Sequence, residues 1–204
     1  MPVMNAVADV KTNLLLFYEP LVLFLLTSLS DSLEALQHAA LSGLEFILDN
    51  IGCSIDELFC PILTALIEQY PRTQTESDGD QELSTALMDH YSRLIETCYD
   101  LVPHFNHSVL HRILDDVISK QLSGKDVPVQ IRIQLLRFLV LVATRTKGDL
   151  SLPSELLSQL LQLLQDQQST LHNAAMKCWD SLTQNLLLCV SSRYYGSFTY
   201  IAYD

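Results

Sequence analysis

Self-similarity between distant segments is the feature that most restricts how this chain can fold. The segment LSDSLEALQHAALSGLEFI, residues 29–47, aligns without a gap with LQDQQSTLHNAAMKCWDSL, residues 164–182. The matched pairs are Leu29 with Leu164, Asp31 with Asp166, Leu36 with Leu171, Ala39-Ala40 with Ala174-Ala175, Leu44 with Trp179, and Ile47 with Leu182. A third segment, residues 129–142, places Ile131-Arg132 forty residues before Leu171-His172. A period near 40 residues indicates a stack of similar supersecondary units.

Apolar residues recur at helical spacing along almost the whole chain. Hydrophobic residues make up 49% of the sequence, and six glycines and seven prolines leave little material for the turns of an all-β fold. The pattern predicts an all-α chain of eight helices, separated by short turns and by one polar loop at 72–81. Short connections make consecutive helices antiparallel neighbours, which gives four hairpins at 5–51, 54–102, 106–146 and 153–190.

Each hairpin has more apolar surface than it can bury alone, so the hairpins are expected to stack on one another. The prediction is one helical repeat domain over residues 1–190, followed by an irregular aromatic tail over residues 191–204. Neither end carries a polar cap, which leads us to expect self-association through the open ends of the stack or additional neighbouring repeats.

Local signals predict how several helices begin and end. Gly52 follows the second helix at the position of a left-handed C-cap. Ser54 and Glu57 have the spacing of a capping box at the start of the third helix. Asn106 or Ser108 is expected to open the fifth helix.

The repeated residues resemble the HEAT and armadillo families of helical repeats. In those families a first helix, often kinked by proline, ends in a short turn with Asp, and a second helix opens with an aliphatic-Arg pair and a run of small residues. Pro20, Asp31 and Ala39-Ala40 fit this pattern, and Ile131-Arg132 retains the arginine. The resemblance implies a right-handed α-solenoid of about four hairpins, a non-enzymatic scaffold that binds segments of other proteins along the second helix of each hairpin.

The sequence departs from that pattern in two places. Gln37 and His172 stand where the families have arginine, so a continuous Asp–Arg ladder between units is not expected. The unit at 54–102 contains the inserted polar loop and has no clear match. Residues 130–184 are also similar to armadillo-like proteins that support meiotic chromosome breakage and pairing, and this implies a chromosome-associated scaffold as an alternative function.

The net charge of −12 is unevenly distributed. Residues 1–102 hold three basic and sixteen acidic residues, a net of −13, whereas residues 103–204 hold nine basic and eight acidic residues, a net of +1. Direct nucleic-acid binding is not expected because an acidic surface repels phosphate. The candidate residues for contact with an acidic protein partner are Arg132, Arg137, Arg145 and Lys147; a solvated helix face is the alternative explanation for them.

No nucleophile–base order, phosphate-binding glycine loop or zinc-protease motif occurs, so we expect neither an enzyme nor a cofactor. The five cysteines are widely spaced without a C-x-x-C, which indicates buried, reduced thiols in an intracellular protein. His104, His107 and His111, with Asp115 following, form the one candidate metal cluster, because His107, His111 and Asp115 are spaced four residues apart on one helix face. A metal-binding function through these three histidines is therefore kept as an alternative.

The apolar run from Leu14 to Leu29 is interrupted by Glu19-Pro20, and its uninterrupted part is shorter than a membrane span of roughly 20 residues. Asp9 precedes the run where a signal peptide would carry basic residues. The run is expected to be a buried repeat helix rather than a membrane segment, and the chain is expected to be cytoplasmic or nuclear.

Overall fold

The computed structural model describes residues 16–71, 81–124, 127–146, 152–165 and 169–198. Over these residues the chain forms helices and turns and contains no strand, which confirms the all-α prediction. The helices are α1 (16–28), α2 (Glu34–Ile51), α3 (Asp56–Glu68), α4 (Gln81–Leu101), α5 (His107–Arg112), α6 (Ser119–Leu122), α7 (Val129–Thr146), α8 (Ser154–Leu163) and α9 (Ser169–Phe198).

Three short elements complete the described backbone. Two 3-10 turns, Gly52–Ser54 and Val102–His104, follow α2 and α4 directly. A π-helical segment, Ile113–Ile118, joins α5 to α6, so residues 107–122 form one continuous helix whose middle part is π-helical. The sequence predicts a regular α-helix there. The π-helical segment was not predicted, because hydrophobic spacing alone does not reveal a single widened turn.

The chain divides into two compact units, Met1–Val109 and Leu110–Asp204, whereas the sequence predicts a single repeat domain over 1–190. The boundary falls inside α5. In the first unit α4 packs against both α2 and α3. In the second unit α7 packs against α9, α8 packs against α9, and α6 packs against α8.

Each unit has its own apolar core. Leu41, Leu44 and Leu48 of α2 are buried in the first unit together with Leu63 of α3 and Leu94 of α4. In the second unit the buried side chains include Leu135, Leu139 and Val142 of α7, Leu156 and Leu160 of α8, and Leu171, Ala175 and Leu182 of α9. These positions recur every three or four residues, as helical periodicity requires.

Gly52 is not a left-handed cap. Its φ of −50° and ψ of −39° are right-handed helical values, and it begins the 3-10 turn. The glycine is explained by space instead, because a Cβ added there would lie 2.6 Å from Cδ1 of Leu101 at the end of α4. A Cβ at this position would have to displace the end of the Leu101 side chain, so glycine suits the close approach of α2 and α4.

The predicted capping box at Ser54 and Glu57 is also absent. Ser54 belongs to the 3-10 turn, α3 begins at Asp56, and the N-cap position is Ile55, which makes no side-chain cap hydrogen bond. Ile55 is fully buried, so its packing into the core fixes the start of α3. By contrast, the side chain of Asn106 accepts a hydrogen bond from the backbone N–H of Val109 at 3.1 Å and caps α5 as predicted.

The last described helix extends further than expected. α9 continues to Phe198, so residues 191–198 of the predicted irregular tail have helical backbone. Residues 199–204 lie outside the described chain, as does nearly all of the predicted polar loop at 72–81.

Candidate functional site

The predicted partner-binding arginines lie along α7. Arg132 is half-buried, and its Nη2 donates a hydrogen bond to the backbone carbonyl of Gly124 at 2.9 Å. Arg137 is exposed, and its Nη1 donates to Oε1 of Gln134 at 2.7 Å. Arg145 is exposed in the last turn of α7, and Lys147 lies outside the described residues.

The helix brings two of these arginines together and separates the third. At 3.6 residues per turn, Arg137 and Arg145 point about 80° apart around the axis of α7, whereas Arg132 points about 140° from either. Arg137 and Arg145 therefore occupy one exposed side of the helix. Arg132 is directed instead at the turn that precedes α7.

The contact made by Arg132 recurs at the two equivalent positions of the repeat. Nε2 of Gln37 donates to the carbonyl of Asp31 at 2.5 Å, and Nδ1 of His172 is 2.9 Å from the carbonyl of Leu164, which can only accept. In each case a polar side chain near the start of a second helix donates to a carbonyl in or beside the preceding turn. The acceptor lies six residues before Gln37 and eight residues before Arg132 and His172, so three different side chains make similar connections to the turn.

A pair of histidines between α2 and α4 is the main cluster of titratable groups that the sequence did not predict. Nδ1 of His38 lies 3.3 Å from Nδ1 of His90. Their ring centroids are 5.6 Å apart. This exceeds the 3.3 Å between the two nitrogens by 2.3 Å, and that difference is about one ring diameter. The two rings therefore meet edge to edge along one line rather than face to face, the arrangement of an N–H···N hydrogen bond.

The other side of His90 fixes the direction of that hydrogen bond. Nε2 of His90 is 3.3 Å from Oε2 of Glu45, and a carboxylate can only accept, so Nε2 carries a proton. The Nδ1 of neutral His90 is then an acceptor, and His38 donates its own Nδ1–H. The resulting chain runs from His38 through His90 to Glu45.

Burial lowers the pKa of His90 below the ordinary histidine value of 6.5, since only 6% of the residue is exposed. The hydrogen bond and the charge of Glu45 act in the opposite direction, while Arg93 and His38 lower the pKa further. His90 is thus held neutral with both ring nitrogens engaged. The pair links α2 to α4 and leaves no nitrogen of His90 available for proton transfer to a substrate.

No sequence motif indicated this pair, because its members are 52 residues apart. The only signal was that His90 shares a helix face with Leu87 and Leu94, three and four residues away, which are both buried. That placement predicts a core histidine but does not identify its partner.

The predicted histidine cluster is not assembled into a metal site. His104 and His107 are exposed and His111 is half-buried. Among the described residues, which include these three, no group of three or more His, Cys, Asp or Glu side chains is placed to hold a metal ion.

The described cysteines are poor nucleophiles. Cys60, Cys98 and Cys178 are buried, as the sequence predicts, and burial raises the pKa of the Cys178 thiol to about 12 and that of Cys98 further. A thiol with such a raised pKa carries almost no thiolate at neutral pH. The side chains of Cys53 and Cys189 lie outside the described part of the chain.

Comparison with known proteins gives no identity. No protein-family model, curated protein or solved structure matches this chain. Within the described residues, no helix is both long enough and apolar enough to cross a membrane.

Proposed function

We propose that this chain is a non-enzymatic protein-binding scaffold, built from HEAT- or armadillo-like helical hairpins that stack into an α-solenoid. The observation that carries the proposal is the recurrent hydrogen bond at Gln37, Arg132 and His172. The sequence repeat equates these three positions, and all three side chains fasten the second helix of a hairpin to the turn before it. A repeated structural role at repeated positions is what a chain of similar hairpins requires.

Helix packing within each unit supports the same proposal. When hairpins stack, first helices contact first helices and second helices contact second helices. In the first unit the second helices α2 and α4 pack together, and in the second unit the second helices α7 and α9 do so. The first helices of the second unit, α6 and α8, also pack together.

Burial follows the repeat as well. Ala40, Leu135 and Ala175 occupy one repeat position and are all buried, as are Ile47, Val142 and Leu182 seven residues later. The corresponding faces of α2, α7 and α9 therefore point into a core, which leaves the opposite faces for contact with other proteins.

Arg137 and Arg145 are the residues that we assign to partner contact, since they share an exposed side of a second helix and suit an acidic partner. The test is affinity capture from cell extract with the full chain, the double variant Arg137→Glu/Arg145→Glu, and Lys120→Glu as the control. Lys120 is an exposed cation on α6 that pairs with Asp116 at 2.9 Å. Circular dichroism establishes first that all three proteins are equally helical.

We expect the full chain and the Lys120→Glu variant to retain the same proteins, and the double variant to lose them. The scaffold proposal fails if the full chain retains nothing above a blank resin. The assignment of the two arginines fails if the double variant retains the same proteins in the same amounts.

A further inference from the structure

Helix α1 is not the buried helix that the sequence predicts, because one side of it exposes an unusual amount of apolar surface. The exposed fractions are 71% for Phe17 and 64% for Phe24. Three leucines of the same helix are also exposed: Leu16, Leu21 and Leu23. Together these side chains present on the order of 500 Å² of apolar area, which is within the range of the largest patch on a typical monomer and is often functional at that size.

These residues form one continuous face. Phe17, Leu21 and Phe24 follow the i, i+4, i+7 spacing of a helical row, and a second row of Leu16, Pro20 and Leu23 runs beside it. The opposite side of α1 is already used, because Val22 and Leu25 are buried. We call the exposed rows the α1 face.

The α1 face belongs to an acidic part of the sequence. Residues 12–71 contain eight acidic residues and no Lys or Arg. Glu19 is exposed and lies beside the row of Leu16 and Leu23, three residues from one and four from the other. The apolar face therefore lies in a field that attracts cations and repels anions.

We propose that the α1 face binds an amphipathic helix of a partner protein, whose apolar stripe is flanked by Lys or Arg. This inference rests on the proposed scaffold function and adds a second contact surface, distinct from Arg137 and Arg145. The partner is a helix because the backbone groups of α1 are already hydrogen-bonded within the helix, so the face offers side-chain rows rather than a sheet edge. The partner is basic because its flanks meet Glu19 and the acidic residues of this region.

Charge also disfavours two other occupants, and one of them is the second copy that the sequence analysis allows as a partner at an open end. A second copy of the chain would bring an equally acidic α1 region against the first, and like charges across an interface oppose association. An anionic lipid surface would be repelled for the same reason.

The probe is a synthetic 18-residue leucine–lysine peptide with the apolar period of an amphipathic helix, and a leucine–glutamate peptide of the same pattern is its charge control. Binding to the full chain is measured by fluorescence anisotropy at 50 mM and 300 mM salt. The test variant is Phe17→Ser/Phe24→Ser. Phe46→Ser on α2 is the matched control, since Phe46 is 66% exposed but lies on another helix.

We expect the leucine–lysine peptide to bind the full chain, and the double variant to weaken that binding at least tenfold. Phe46→Ser should change the affinity less than twofold, high salt should weaken binding, and the glutamate peptide should not bind. Equal affinity for the double variant and the full chain would show attraction to acidic residues in general and would overturn the proposal.

Three further outcomes also overturn it. Concentration-dependent dimerisation in sedimentation that the double variant abolishes would assign the face to a second copy. Binding to phosphatidylcholine vesicles without peptide binding would assign it to a membrane surface. A fall of more than about 5 °C in the melting temperature of the double variant would mean that the chain itself covers the face. The Phe17→Ser/Phe24→Ser variant is also passed through the affinity capture described for Arg137 and Arg145. If it retains the same proteins as the full chain, the scaffold function stands even when this inference fails.

Discussion

Burial keeps His90 neutral at the contact of α2 with α4. Protonation would place a second N–H opposite the Nδ1–H that His38 donates, so the two rings would repel unless His38 changed its tautomer. Around His90, Glu45 favours the protonated form, while burial, Arg93 and His38 oppose it, and burial is the largest influence. The net result is a lowered pKa in the folded state.

Stability should therefore fall as the pH falls. Because the pKa of His90 is lower in the folded chain than its value of 6.5 in an unfolded one, the two states bind equal numbers of protons at His90 well above pH 6.5. As the pH falls below 6.5, His90 becomes protonated first in the unfolded chain. The free energy of unfolding therefore decreases until the pH has fallen below the pKa of His90 in the folded chain. Urea unfolding from pH 8 to pH 5 should show this loss, and His90→Gln should flatten it.

His107→Gln is the control for that experiment, since His107 is exposed on α5. If His90→Gln leaves the slope of stability against pH unchanged while His107→Gln reduces it, the assignment of the pH dependence to the histidine pair is wrong.

Gly52 makes a second prediction at the residue scale. Gly52→Ala places a methyl group 2.6 Å from Cδ1 of Leu101, the end of a flexible and half-buried side chain that can shift, so we expect a loss of only about 1 kcal/mol in the free energy of unfolding. Leu101→Ala removes the obstructing atom, so adding Gly52→Ala to that variant should cost much less. Chemical denaturation of the two single variants and the double variant gives the coupling; additive losses would contradict the steric explanation.

At the scale of elements, the side-chain hydrogen bonds of Gln37, Arg132 and His172 connect α2, α7 and α9 to the turns that precede them. An arginine bond to a carbonyl is charge-assisted, so its removal should cost about 1.5–3 kcal/mol. Arg132→Met keeps most of the apolar stem and removes the guanidinium, and we expect a loss of that size in thermal or urea unfolding.

Arg137→Met on the same helix is the matched control, because Arg137 is exposed and bonds to Gln134 within its own helix. It should change the free energy of unfolding by less than about 0.5 kcal/mol. Equal effects of the two variants would show that the bond from Arg132 to the turn has no special part in holding the hairpin.

The sequence predicted the helices well because their signals are local and regular. The ends predicted for the first three hairpins, at residues 51, 102 and 146, agree with the ends of α2, α4 and α7 to within one residue. The errors at Gly52 and Ser54 have a different cause, since both depend on distant packing: Gly52 on Leu101 and the start of α3 on buried Ile55. The link between His38 and His90 was unpredictable for the same reason, because one sequence carries no record of which faces meet.

At the scale of the whole molecule, the division at Val109 and Leu110 suggests two units that lose stability separately. Ala175 is fully buried in the second unit, and Ala175→Leu should overpack α9 at a cost of about 1–3 kcal/mol. Native-state hydrogen exchange should then show lower protection in α7 and α9 and unchanged protection in α2 and α4.

Asn173→Leu, exposed on the same helix, should leave the exchange of both units unchanged. An unchanged melting temperature in Ala175→Leu would count against the repeat alignment that equates Ala175 with Ala40. A parallel loss of protection in α2 and α4 would show that the two units open together.

Two of the buried thiols, one in each unit, can serve as internal reporters of opening. Cys98 lies on α4 in the first unit and Cys178 on α9 in the second, and neither side chain exposes more than 1% of its surface. An alkylating reagent such as iodoacetamide can reach each sulfur only while the surrounding helix is open. The rate of carbamidomethylation therefore measures how often that helix opens. Mass spectrometry of the two labelled peptides would time the opening of both units in a single sample of the unaltered protein.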